Sequence, residues 1–244
     1  MSDTFVLVHG AWHGAWCWAG VGRHLEEGGD RVFAVDLPSH GANKFNRAKV
    51  NLDVYVDSVA KFIEERDLKS VVIAGHSMGG LVISGVAQKI PKRLKRVVFV
   101  SAMVMLDGER PIDLSRPELK ALGDVAASRP DRSMPIEVME PRFRAAFIQD
   151  ASKDLQDFVI SALTPQPIAP LADPVPMKEF YQLDIPTSYV ICEGDISMMP
   201  NFMWHPHFTS RLKNPTTRSI KSGHEVMFTK PVECAGALRE LARG

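Results

Sequence analysis

The stretch Ser70–Gly85, SVVIAGHSMGGLVISG, governs how the rest of the chain is read. Its first half is short, apolar and β-branched, the pattern of a strand buried on both faces. Its second half opens a helix candidate, GGLVISGVAQK. Between them lies Gly75-His76-Ser77-Met78-Gly79, a G-x-S-x-G sequence. With glycine at about 7% of residues, chance alone gives such a match in roughly one chain in ten of this length, so the pattern needs its context. A serine on a sharp strand-to-helix turn is held in strained backbone above the sheet, with its hydroxyl presented to a substrate. Small residues must flank it, and Gly75, Gly79 and Gly80 do so. The helix N-terminus beneath Ser77 favours negative charge developing there. The competing reading is a glycine-rich turn whose serine only caps a helix.

Working outward, TFVLV (Thr4–Val8), RVFAV (Arg31–Val35), SVVIA (Ser70–Ala74), RVVFVS (Arg96–Ser101) and TSYVIC (Thr187–Cys192) read as buried strands. TTRSI (Thr216–Ile220) is a weaker sixth. Helical patterns alternate with them. In NLDVYVDSVAKFIEER, Val56, Val59, Ala60 and Ile63 share one helical face, and Asn51 is placed to cap it. Pro231 suits the first turn of a C-terminal helix. The alternation predicts an α/β fold: a six-stranded, mostly parallel, doubly wound sheet. Residues 103–181 break the rhythm with proline and helix-forming segments such as RFRAAFIQDASKDLQDFVISAL. They are expected to form a helical cap inserted after the fourth strand, on a core made of residues 1–102 and 182–244.

A serine hydroxyl needs a base, and the base needs an orienting group. Asp195 falls just past the strand TSYVIC, and His224 lies in the loop SGHEVMF after the sixth strand. The order serine, acid, histidine fits a nucleophile on this kind of turn. Asp107 is the runner-up acid, and Asp36 is expected to order nearby loops. His76 should point away from Ser77 and pack. His40 is expected to be structural, and the His205/His207 pair to serve packing rather than a metal, since no carboxylate cluster accompanies it. In HGAWHGAWCW, His9 and Gly10 should shape the loop after the first strand, Trp16 and Trp18 should anchor the first helix, and Trp12 should face the substrate. Candidates for an apolar pocket lining are Trp12, Met78, Met103, Met105, Phe143, Phe147 and Phe158, with a contribution from Met198–Met203.

Composition narrows the classes further. The 244 residues carry no formal net charge, with 45% hydrophobic and 24% charged residues, so nothing points to nucleic acid or an acidic membrane. The basic run KIPKRLKR joins a helix to a strand and has no interleaved aromatics to stack bases. Three scattered cysteines fit neither a disulfide framework nor a zinc site. With no secretory signal and no apolar run long enough to span a bilayer, a cytoplasmic protein is expected.

The combination HGAWHGAW, AGHSMGG, ICEGDIS and SGHEVMF resembles the α/β-hydrolase superfamily, in the branch of plant methylesterases, hydroxynitrile lyases and bacterial pyrethroid and carbamate hydrolases. The resemblance covers nearly the whole chain. It implies a Ser77–His224–Asp195 triad and an oxyanion hole made by the backbone N–H groups of Ala11 and Met78. It implies no metal and no organic cofactor, a small-molecule ester substrate, and a homodimer as one expected assembly. The lyases carry a lysine after the catalytic histidine and a hydroxyl-bearing residue at the position of Ala11. Here Glu225 and Ala11 stand there, so a serine ester hydrolase is expected ahead of a lyase. A ligand-binding receptor on the same scaffold, and a cofactor-free oxygenase, are further alternatives. Glu225 is expected to face solvent; if it faced the pocket, it would disfavour acidic substrates and raise the pKa of His224.

Overall fold

A computed structural model describes residues 2–244. Six parallel strands form one sheet: β1 (Thr4–Val8), β2 (Arg31–Val35), β3 (Val71–His76), β4 (Leu94–Val100), β5 (Thr187–Cys192) and β6 (Thr216–Ile220). Their order is β2-β1-β3-β4-β5-β6. Four strands match the sequence reading residue for residue. The other differences are informative: β3 runs on through Gly75 and His76, and β4 begins at Leu94 because the ladder pairs Val71 with Leu94 across a bulge. Backbone pairing there carries half-buried Lys95 and Arg96, which hydrophobicity does not flag. The sixth strand is an edge with exposed Thr217, Arg218 and Ser219, hence its weak signal.

Alternation along each strand divides two cores. Phe5, Leu7, Val72, Ala74, Val98 and Val100 face one side, against α1 (Ala19–Glu27) and the C-terminal helix Pro231–Ala242. Val6, Val8, Val71, Ile73, Val97 and Phe99 face the other, against α2 (Leu52–Glu65) and α3 (Gly79–Lys89). The predicted apolar face of α2 is buried, and Asn51 Oδ1 accepts from the Val54 amide at 2.9 Å, answering one orphan donor of the first turn.

The long segment between β4 and β5 holds α4 (Pro117–Ser128), a π-helical turn Phe143–Phe147 and α5 (Lys153–Ala162). A two-residue antiparallel ladder joins Ser133–Met134 to Gln166–Pro167. The helix-forming stretch around Phe143 is interrupted rather than continuous; Ser152 Oγ caps the second piece by accepting from the Leu155 amide. Its apolar residues, Val159, Ile168 and Met177 among them, pack into the same core as Ile73 and Phe99. The insertion therefore closes over the sheet edge without a core of its own.

Candidate active site

The loops after β1, β3, β5 and β6 meet at one edge of the sheet, the carboxyl end where ligands bind in open α/β folds. Ser77 directly follows β3 with φ 54°, in the left-handed region that non-glycine residues rarely adopt. Its amide donates to Val100 O, and its carbonyl accepts from the Met103 and Gly80 amides. The turn closes tightly. A Cβ on Gly79 would lie 2.8 Å from the carbonyl oxygens of Val8 and His9, and one on Gly10 would lie 2.9 Å from Ser77 Cβ. The Ala11 and Met78 amides take no part in the hydrogen bonds that fix these turns.

His224 and Asp195 are buried, and His224 Nδ1 lies 2.6 Å from Asp195 Oδ2. Ser101 Oγ donates to the same oxygen at 2.8 Å; the Ser197 amide and hydroxyl donate to the other at 3.0 and 2.6 Å. Burial works against the Asp195 charge, but His224 and then the Ser197 donors outweigh it and hold its pKa below the usual carboxylate range. Burial likewise disfavours the charged form of His224, yet Asp195 and then Glu225 outweigh that and raise its pKa. Trp204 stacks on the imidazole at 4.8 Å and Phe147 meets it edge-on at 5.1 Å. His224 Nε2 is buried without a hydrogen-bond partner among the described residues. It shares a recess of about 10 Å³ with Ser77, Ala11, His13 and Glu225.

Glu225 corrects the sequence reading. It is 1% exposed, with Oε2 3.3 Å from His13 Nε2. Burial alone would keep it protonated, but the facing His13 lowers its pKa to about 2. His13 itself is anchored at 2.8 Å through Nδ1 to Ala11 O. Its partner lies at the other end of the chain, so no local pattern announces the pair. His76 donates from Nε2 to His224 O at 3.1 Å, and burial followed by the neighbouring His224 lowers its pKa to about 3. Potential ligand atoms, one each from His76, His224 and Glu225, lie within 4.8 Å of one another.

A larger cavity of about 60 Å³ opens in front of Ser77. Of the expected lining residues, Trp12, Met78, Met103 and Phe147 border it, as do Met198 and Met199. Met105 is fully buried elsewhere, and Phe143 borders only the small recess behind Ser77. Phe158 is 61% exposed and lies edge-on to Trp16 at 6.4 Å, so it is outside the lining. The sequence did not flag Arg116, Arg142 or Trp204, all of which border the cavity. Trp12 is held in left-handed backbone with φ 64°. Its amide donates to Gln166 Oε1 at 3.0 Å, its carbonyl accepts from the Thr164 amide, and its indole donates to Met134 O.

The remaining candidates serve structure. Asp107 accepts from the Met177 and Lys178 amides, and Asp36 from those of Ala15 and Ala42. His40 bridges Tyr55 and Thr164, while His9 Nε2 accepts from the Leu37 amide. His205 bonds Thr209 and His207 faces Arg211, two separate partners. Trp18 is fully buried beside α1.

A strained serine between a parallel strand and a helix, with a buried histidine–carboxylate pair on neighbouring loops, defines a hydrolase-type scaffold. The chain belongs to the alpha/beta hydrolase family, whose sequence profile matches residues 5–237. It is 29% identical to methylesterase 7 of Arabidopsis thaliana, over 98% of this chain and 95% of that protein. It is 29% identical to the carbendazim hydrolyzing esterase of Nocardioides sp. (strain SG-4G), over 98% and 99% of the two chains. Among solved structures, an extracellular alpha/beta-hydrolase from a Paenibacillus species superposes with a TM-score of 0.92 at 31% identity, covering 99% of this chain and 100% of the other. That protein is described as sharing structural and functional homology with tobacco salicylic acid binding protein 2.

Proposed function

We propose that the protein is a serine carboxylesterase acting on small, largely apolar or aryl esters through an acyl-enzyme. The observation that carries this reading is the buried Asp195–His224 pair, whose unpartnered Nε2 opens into the recess that Ser77 borders. His224 takes the Ser77 proton as Oγ attacks the ester carbonyl. Asp195 holds the imidazole with Nδ1–H toward itself and stabilises the imidazolium that forms. The Ala11 and Met78 amides stabilise the oxyanion, and removing one such donor typically costs about 10²–10³ in kcat. His224 then protonates the leaving alcohol, and water activated by the same base releases the acid.

The similarity to named esterases supports the reading. Glu225, in place of the lysine expected of a lyase, sets a negative charge beside His224 and opposes a cyanide leaving group. The free, buried Cys17, Cys192 and Cys234 support the cytoplasmic compartment expected from the sequence. No helix among the described residues is long and apolar enough to cross a membrane. The test is labelling by a serine-reactive aryl phosphonate with mass spectrometry, alongside hydrolysis of 4-nitrophenyl acetate. Labelling at Ser77 is expected, with a loss of turnover on the order of 10⁴–10⁶-fold in Ser77→Ala. Labelling elsewhere, or persistent turnover in that variant, overturns it.

A further inference from the structure

The cavity in front of Ser77 is walled by apolar side chains such as Ile112, Leu119, Met139 and Leu171, yet Arg116 and Arg142 also border it. Arg116 stands just before α4, and Arg142 just before the π-helical turn. The Nε of each is buried without a hydrogen-bond partner among the described residues. Arg142 donates one Nη to Ser197 O, which fixes the fork relative to the residue that clamps Asp195. Several other partly buried arginines face carboxylates: Arg144 faces Glu140 and Asp157, Arg211 faces Glu109, and Arg239 faces Asp30. Arg47 and Arg96 face none among the described residues, but neither borders the cavity. Arg116 and Arg142 have no such ion pair among the described residues. Glu118 on the first turn of α4 is exposed. Burial, and then the like charge of Arg116, lower the pKa of Arg142, with the exposed Glu118 opposing them, so the two cations lie within electrostatic reach. Glu225 does not answer them, since it borders the separate small recess and faces His13. Two partly buried cations with no carboxylate in hydrogen-bond reach among the described residues, against an apolar wall, favour an anion that joins them.

We propose that Arg116 and Arg142 form a subsite for a carboxylate carried by the substrate, so that the preferred esters are short half-esters or carboxylate-bearing aryl esters. The proposal rests on the esterase reading of Ser77. Guanidinium forks match a carboxylate in pairs of parallel hydrogen bonds, which an uncharged ester end cannot replace. The apolar wall takes the short spacer between the carboxylate and the scissile carbonyl.

The experiment compares two matched pairs: monomethyl with dimethyl adipate, and 4-acetoxybenzoate with its methyl ester. In at least one pair, kcat/KM is expected to favour the anion by about tenfold or more, the range of a charge-assisted hydrogen bond. That ratio should collapse in Arg116→Gln and Arg142→Gln and be partly restored in Arg142→Lys. A general structural defect would depress both members of a pair and leave the ratio alone. In parallel, benzoate and benzyl alcohol are titrated against the tryptophan fluorescence of the intact protein, since Trp12 and Trp204 border the cavity. Benzoate binding that the glutamine variants lose, without hydrolysis of any ester, upholds the subsite and overturns the esterase reading. Hydrolysis with no charge preference in either pair, or a ratio unchanged in the variants, overturns the subsite and leaves the esterase reading standing.

Discussion

The carboxylate of Glu225 sits one residue from His224 and 3.3 Å from His13 Nε2, in surroundings closed to solvent. Two consequences belong to this single residue. First, under the proposed mechanism His224 must be neutral to act as a base, and Asp195 and Glu225 both raise its pKa. The kcat/KM profile should therefore fall on its acid side at a pH above the ordinary histidine range. Glu225→Gln removes one of the raising charges, so that limb should move to lower pH; a limb that stays in place contradicts the assignment. Second, the folded pKa of Glu225 is lowered from 4.5 to about 2. A lowered folded pKa means the stabilisation is complete above the unfolded value and is lost as pH falls through the folded one. The stability gap between the native protein and Glu225→Gln should accordingly narrow between pH 4.5 and about 2, as followed by urea midpoints. His13→Ala leaves the carboxylate buried without its main partner, and should destabilise by roughly 3 kcal/mol, the usual scale for breaking a buried pair.

At the scale of elements, the strand–turn–helix around Ser77 was legible because its constraints are local. β-branched residues write the strand, and glycines write the close approach of α3 to the loop after β1. Gly79→Ala tests that approach: a Cβ 2.8 Å from two carbonyl oxygens must push backbone apart, and a loss of about 1–3 kcal/mol is expected in thermal or urea unfolding. Asn51→Ala, which removes the cap of α2, should cost about 1 kcal/mol and leave turnover intact. The insertion was far less legible. No local pattern marks Arg116 or Arg142, and only tertiary folding brings them to the cavity. Phe158 misled in the opposite sense, since an aromatic residue on an amphipathic helix suggests burial but here sits mostly in water. Glu225 belongs to the same class: burial of a charge depends on a partner that sequence distance conceals.

Across the whole molecule, the insertion and the sheet edge are joined at one residue. Trp12 follows Ala11, and residues of the insertion bind its amide, its carbonyl and its indole. Left-handed backbone at a tryptophan typically costs about 1–3 kcal/mol, so these bonds are what keep the loop in its shape. Gln166→Ala should loosen that hold; kcat for a small neutral ester is expected to fall several-fold with little change in KM, and a change in KM alone would contradict it. The tether also makes the insertion a checkpoint rather than a wall. An ester too bulky for Thr164 and Gln166 to reach Trp12 could still be captured, but the amide of Ala11 would not be aligned on its carbonyl. Discrimination by size would then register as slow turnover of tightly held, oversized esters, which would behave as competitive inhibitors of the small ones.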